Sequence, residues 1–318
     1  MRRWMPALVL GLAALLSRLP AGSQEPAKTP PDQAQTAIQK VASDLYGALN
    51  DEQRKKALHP FDSPHRNQIL FPGAPRPGLQ IKELNADQKK QVRAFLASFL
   101  SDYGMKKADG ILAQVLNENK ANATADQTGL DFYYVNFFGV PSDKEPWAIR
   151  IAEHHLTIVY LVSVPGQPMR IGPILLGANP PNLWYEMEDA GIAAYKTLSD
   201  AKAAGALLPG KKESGSPMGD GVGVPVGKLP EAARPAAKAL FDEWLKVFSA
   251  PVQAHVRAIL DAQGGLDALR FAFWGEGTAR CEAGGKFDWK LEGPAFLCDF
   301  ENTRGHVHLC LKGETAAK

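Results

Sequence analysis

The sequence predicts an α+β protein, a mostly antiparallel sheet with helices packed on it, whose two halves read as a duplication. Three observations predict it. Apolar residues recur at helical spacing before position 120 and again between 186 and 262. Each helical block is followed by short runs rich in aromatic and β-branched residues, which suit strands. The strands of the two blocks also align without a gap: Ile149 falls on Trp289, Arg150 on Lys290, Ile151 on Leu291, Leu156 on Phe296 and Tyr160 on Phe300. Upstream, Phe138-Gly139 corresponds to Trp274-Gly275. Chance likeness of amphipathic strands is the competing reading, since aromatic strands resemble one another easily.

Residues 1–23 read as a secretory signal: Arg2 and Arg3 are followed by an apolar run from Ala7 to Leu16 and a small-residue cleavage site at Ala21-Gly22-Ser23. The run falls short of the ~20 residues that cross a bilayer, and no later segment approaches that length, so we expect an exported chain, periplasmic or extracellular, with no membrane span after cleavage. Residues 24–33 are a Pro-rich polar tether, expected to be disordered. The first helix-plus-sheet half then covers 34–185 and the second 186–318, joined as one compact unit.

Within the first half, Ala34 to Leu58 is helical in period. Leu49-Asn50-Asp51-Glu52-Gln53 recurs as Leu84-Asn85-Ala86-Asp87-Gln88, and in each copy Asn precedes Gln by three residues, as in a capping box. Each copy marks a helix start; the first interrupts the opening helix and the second launches 86–101. A further helix is expected over 107–117, after the break at Tyr103-Gly104. Phe132 to Gly139 is a strand, Trp147 to Val164 one long strand or two joined ones, and Met169 to Leu176 another. In the second half, 186–208 is helical, 209–227 an exposed Gly- and Pro-rich loop, and 232–247 and 252–262 are helices. Strands follow at 269–274, 287–291, 295–301 and 306–311.

A net charge of +2, spread without basic blocks, argues against nucleic acid or an anionic membrane as partner. Cys281, Cys298 and Cys310 are too few for a disulfide scaffold; either Cys298 pairs with Cys310 or all three are free thiols. Gly205 to Lys211 imitates a phosphate loop, but Lys212 stands where Ser or Thr is required and a helix precedes it. Neither a Gly-x-Ser-x-Gly elbow nor a His-Glu-x-x-His helix occurs. Asp62, Arg66 and Arg76 lie in a Pro- and Gly-rich stretch and read either as the polar rim of a ligand pocket or, the favoured reading, as ordinary salt-bridging loop residues.

The chemistry concentrates in histidines. His306 and His308 are one residue apart in a strand, so their rings leave the same face roughly 6.5 Å apart along the chain. Four of the seven histidines fall in two motifs, Glu153-His154-His155 and His306-Val307-His308. Taking Glu153 and His155 to share a strand face, Glu153, His155, His306 and His308 form the preferred set for a divalent transition metal, Zn, Cu or Fe. His154 then packs on the other face or orients a ligand. Cys310, on the face of His308, is a lesser sulfur candidate.

Over residues 40–312 the chain resembles the bacterial domain-of-unknown-function family numbered 3500. The likeness rests on Phe61-Asp62-Ser63-Pro64, Phe132 to Gly139, Glu153-His154-His155-Leu156, Pro173 to Pro180, and Gly293-Pro294 through Asn302 to His306-Val307-His308. Here Thr303-Arg304-Gly305 is shorter than the family pattern, and Leu309-Cys310-Leu311-Lys312 replaces its Trp-Arg-Asp-like segment. The resemblance implies a shared fold and a shared histidine-bearing surface, and it brings no activity with it. Two readings of function therefore stand. One is a histidine-based metal site, with a metal ion or an unidentified small molecule as partner and hydrolytic or oxidative chemistry within reach. The other is a metal-free binding or interaction module whose histidines are structural.

Overall fold

In the computed structural model the described residues are 30–69, 76–121, 123–165, 167–213, 219–303 and 305–315. Residues 1–23, read above as a signal sequence, and most of the stretch read as a tether lie outside them. The chain opens with α1 (Pro30–Ala48) and α2 (Asp51–Ala57). Asn50 accepts from the Gln53 amide and Gln53 from that of Asn50, the capping box that ends one helix and starts the next. β1 (Leu58–His59) and β2 (Leu79–Gln80) follow, then α3 (Ala86–Phe99), whose Asn85–Gln88 box repeats the first. The two box glutamines also bond each other through their side-chain amides, so the repeated motif ties two helix starts together.

Next come α4 (Asp102–Glu118) and the strands β3 (Tyr134–Phe138), β4 (Trp147–Glu153), β5 (Leu156–Val162) and β6 (Arg170–Ala178). The second half supplies α5 (Tyr185–Asp200), β7 (Leu207–Leu208), β8 (Val224–Pro225), α6 (Arg234–Leu245) and α7 (Ala250–Asp261). It closes with β9 (Arg270–Glu276), β10 (Lys286–Gly293), β11 (Phe296–Thr303) and β12 (His306–Glu314).

These strands form one sheet ordered β1-β3-β4-β5-β6-β12-β11-β10-β9-β7, with β2 on β3 and β8 on β9. Read from either end, the order is the same sequence of roles. A two-residue parallel strand opens each end, at Leu58↔Phe137 and Leu207↔Phe273. The central hairpins close alike, at Glu153↔Leu156 and Gly293↔Phe296. Midway, Ile174 lies opposite Leu311.

Among the described residues, all seven α-helices cover one face. Ile149, Ile151, Leu156 and Tyr160 from one half and Trp289, Leu291, Phe296 and Phe300 from the other join Leu45, Phe95, Phe99, Leu240 and Trp244 in a single core. The helix layer is stitched at its middle, where Leu100 bridges Phe248 and the amides of Ser101 and Ser249 donate to the carbonyls of Val247 and Phe99. The opposite face carries Arg150, Lys290, Asp288 and Asp299, all buried. The segments between β1 and β2 and between β7 and β8 reach it: the Gln68 carbonyl accepts from Arg150, and the Lys212 amide donates to Asp288.

Several expectations are corrected. α1 begins at Pro30, inside the stretch read as tether, because proline is tolerated in a first helical turn. Ser101 caps α4, drawing Tyr103 and Gly104 into the helix. The helix expected over 186–208, with a break near Leu198-Ser199-Asp200, ends at that break and does not resume, Leu207–Leu208 pairing instead with β9. Of the two readings of 147–164, one long strand or two joined ones, the second holds: β4 and β5 form a hairpin turning at His154-His155. Cys298 and Cys310 are not joined and all three cysteines are free. Cys298 lies opposite Leu311 and Cys310 opposite Asp299, so the two thiols leave opposite faces of the sheet.

Candidate metal centre

The hairpin β4–β5 turns on two residues, and the second, His155, adopts φ 61°, the left-handed conformation such a turn needs. Counting by twos fails across that reversal. Glu153 faces the helix side with Ile151 and Leu156, whereas His155, adjacent to Leu156 on the returning strand, points to the other face. The Gly177 amide donates to the His155 carbonyl at 2.8 Å and fixes the turn against β6.

On β12, His306 and His308 leave this same outer face, with His308 opposite Gly177. A side chain at Gly177 would place its Cβ 2.7 Å from His155 Cδ2 and 3.0 Å from His308 Cδ2. The missing side chain is therefore the floor on which two imidazoles meet. Nitrogens of His155, His306 and His308 all lie within 4.8 Å of one another, and the ring centroids are 5.5 Å (His155–His308), 5.8 Å (His155–His306) and 4.8 Å (His306–His308) apart. Nitrogens sharing one zinc at 2.0–2.1 Å stand about 3.4 Å apart, so side-chain adjustments of about 1 Å complete the set.

The electrostatics favour the free base. Burial, then the neighbouring imidazoles, pushes His155 down to about 2, and burial followed by His306 pushes His308 down to about 4. Burial lowers His306 as well. All three rings are thus neutral at physiological pH, the form that ligates. His155 is 1 % exposed, and neither of its ring nitrogens has a hydrogen-bond partner.

Of the expected set, Glu153 is elsewhere, and His154 lies away from the three nitrogens, on the other side as expected. Glu153 pairs with Arg76 at 2.6 Å on the helix side, so it is no ligand of this group and Arg76 is no ordinary loop cation. His154 lies against His155 with centroids 3.7 Å apart and the rings tilted by 56°, and with Arg76, Glu153 and Glu118 it lines a cavity of about 410 Å³. Cys310 stays a protonated thiol, its pKa raised by burial and then by Asp299, which makes it a poor ligand.

The carboxylate that does face His308 is Glu301, directly opposite on β11. Lys212 bonds Glu301 and also Asp299, the latter at 3.0 Å. Glu301 and Lys212 line a second cavity of about 660 Å³ together with Asp288, Asn302 and Gly305. The hairpin length could have shown Glu301: a two-residue link closing at Thr303↔His306 puts Glu301 across from His308. Gly177 could have been suspected from its place in a strand, where a missing side chain often admits a close approach.

Residues 32–315 match the family model described as protein of unknown function (DUF3500). The chain belongs to this family. No curated protein and no solved structure matches it. As a member of DUF3500 the chain carries three imidazoles at metal-binding separation, and no helix among the described residues is long and apolar enough to cross a membrane.

Proposed function

We propose that this protein is an exported metal-binding protein in which His155, His306 and His308 hold one divalent transition metal. The observation that carries the reading is His155, a buried imidazole with both nitrogens unpartnered and two further imidazoles turned toward it. Leaving a buried polar group without a partner costs about 1–3 kcal/mol, and a shared ion would remove that cost. An all-imidazole set suits zinc, copper or non-haem iron.

Three imidazoles with a fourth position open form the ligand arrangement of catalytic rather than structural zinc. His306 and His308 are only half buried, which suits a position reached by water or a small molecule. Glu301 lies on the same face, opposite His308, and supports a hydrolytic or oxidative role in which it positions or deprotonates what binds there. The leader-like residues 1–23 support export.

We also read the halves as a duplicated unit, supported by the matching hairpin registers and strand order. The site then belongs to one copy. Gly177 is replaced at the equivalent position by Glu314, whose amide likewise donates to the hairpin carbonyl, that of Ala295.

Elemental analysis of untagged protein from its own compartment tests the metal reading. About one equivalent of metal, absent from the His306→Ala, His308→Ala double variant, is the expected result. Metal-free protein whose melting temperature does not change with zinc, copper or iron would overturn it and leave the histidines structural.

A further inference from the structure

The cavity of about 660 Å³ adjoins the imidazole cluster on the outer face. Its wall on that side is Glu301, which stands opposite His308 on the neighbouring strand, about 5 Å away between Cα atoms. From there the cavity crosses the start of β10 at Asp288 and reaches the link 281–285 and the residues 210–213, whose Lys212 amide donates to Asp288. Its volume is that of a small-molecule pocket. Every residue that lines it is among the described ones.

The walls have settled their own polar groups. The Cys281 thiol donates to Asn302 Oδ1 at 2.9 Å and the Asn302 side-chain amide to the Gly285 carbonyl at 2.9 Å, while Asp288 accepts from the amides of Asn302 and Lys212 at 2.8 and 3.1 Å. What remains is room and positive charge. Gly210, Gly284 and Gly305 line the cavity, and a Cβ on any of them would meet nothing within 4 Å. Lys211 and Lys286 are exposed on its lining, and neither bonds a described residue, although Lys286 lies across from Glu276. The acids of the lining are engaged: Lys212 bonds Glu301 through its ammonium and Asp288 through its amide, and Glu213 has an interaction of its own.

We propose that this cavity binds a small organic anion, a carboxylate or a phosphate monoester, whose charged end is held by Lys211 and Lys286 and whose uncharged end extends over Phe287 and Asp288 to Glu301. Ammonium groups take either anion as point charges, and the buried Phe287 and Cys281 in the lining give an apolar body something to rest on. The far end of such a molecule stops one strand short of His308. It is therefore the substrate class of the metal centre, a statement that rests on the metal reading above, whereas anion binding itself does not.

The test titrates the mature protein, first with chelator present and then loaded with Co(II), with benzoate, phenyl phosphate and benzyl alcohol at constant ionic strength. Calorimetry reads binding, and the visible spectrum of bound cobalt reads what reaches the metal. In the chelated protein benzoate or phenyl phosphate should bind saturably, which identifies the anion, and benzyl alcohol about tenfold more weakly or not at all. The Lys211→Met, Lys286→Met double variant should lose about tenfold in affinity and keep its melting temperature, because both side chains are exposed. Lys106→Met, at an exposed position of α4, should change nothing. In the cobalt protein the same anion should shift the spectrum with the calorimetric midpoint, and the double variant should need about tenfold more of it. No saturable anion binding, or equal binding in the double variant, would overturn the proposal whatever the metal does. Binding that leaves the cobalt spectrum unmoved would overturn the anion's role as substrate. Protein that takes up no cobalt would sink the metal reading instead, and the chelated titration would still decide the anion site.

Discussion

His155 sits where a protein without a ligand for it would place a leucine. Its ring is desolvated, accepts and donates nothing, and is held neutral by burial and then by three neighbouring imidazoles, His154, His308 and His306. Exchanging an unsatisfied buried polar group for an apolar one of similar size is nearly neutral or stabilising. We therefore expect His155→Leu to unfold within about 1 kcal/mol of wild type, or above it, when both are measured with chelator present. Its metal affinity should fall at least tenfold, as even loss of an outer-shell partner costs 10–100-fold. Denaturant melts with and without zinc check both halves of the statement. A chelator-independent loss of several kcal/mol would mean that the ring is there to pack. Of this cluster, His306 and His308 were legible, since alternation along one strand needs no knowledge of what surrounds it. His155 entered the expected set for the wrong reason, through a face shared with Glu153, because the sequence does not reveal that Glu153 and Leu156 close a hairpin. Gly177 could be suspected as a point of close approach, but the sequence does not say that two imidazoles are what approaches it.

At the scale of elements, the capping boxes at Asn50 and Asn85 were readable because the motif is local and both its bonds lie within four residues. The two-residue strands β1, β2, β7 and β8 were not, being defined wholly by partners far along the chain. The segment holding Lys212 looked like an exposed loop for the same reason, yet Lys212 is 3 % exposed at its side chain and bonds Asp299 and Glu301. Burial raises the folded-state pKa of Asp299 despite the ammonium, and that of Asp288 beside it. A carboxyl whose folded pKa is raised stabilises the fold below its unfolded value, and that contribution is lost as pH climbs through the folded value. Lys212→Met removes the cation that holds these shifts in check, so both Asp299 and Asp288 should titrate higher still. Breaking a buried pair in this way costs about 3–5 kcal/mol. The loss should be largest at pH 8 and shrink toward pH 5 as the stranded carboxylates take up protons. Urea melts of the variant and wild type at those two pH values measure it; a loss independent of pH would mean that the alkyl stem of Lys212 matters more than its charge.

For the whole molecule, the stretches matched without a gap, 147–160 and 287–300, each hold a hairpin, closing at Glu153↔Leu156 and Gly293↔Phe296. What the match could not foretell is how the halves join. They meet edge to edge at β6 and β12, with Ile174 opposite Leu311, and again among the helices, where Phe99 packs edge-on against Phe248 with centroids 5.7 Å apart and Phe248 stacks on Trp244 at 5.2 Å. Both seams are apolar and feed one continuous core. Neither half can shed the other without baring a hydrogen-bonding edge and the inner surface of its helices. The protein should therefore unfold in a single transition, with calorimetric and van't Hoff enthalpies equal. Phe248→Ala, a truncation at full burial, should cost about 3–5 kcal/mol and lower that one transition as a unit. Two separable transitions, in either the wild type or the variant, would show instead that each half owns a core of its own and that the central seam merely rests between them.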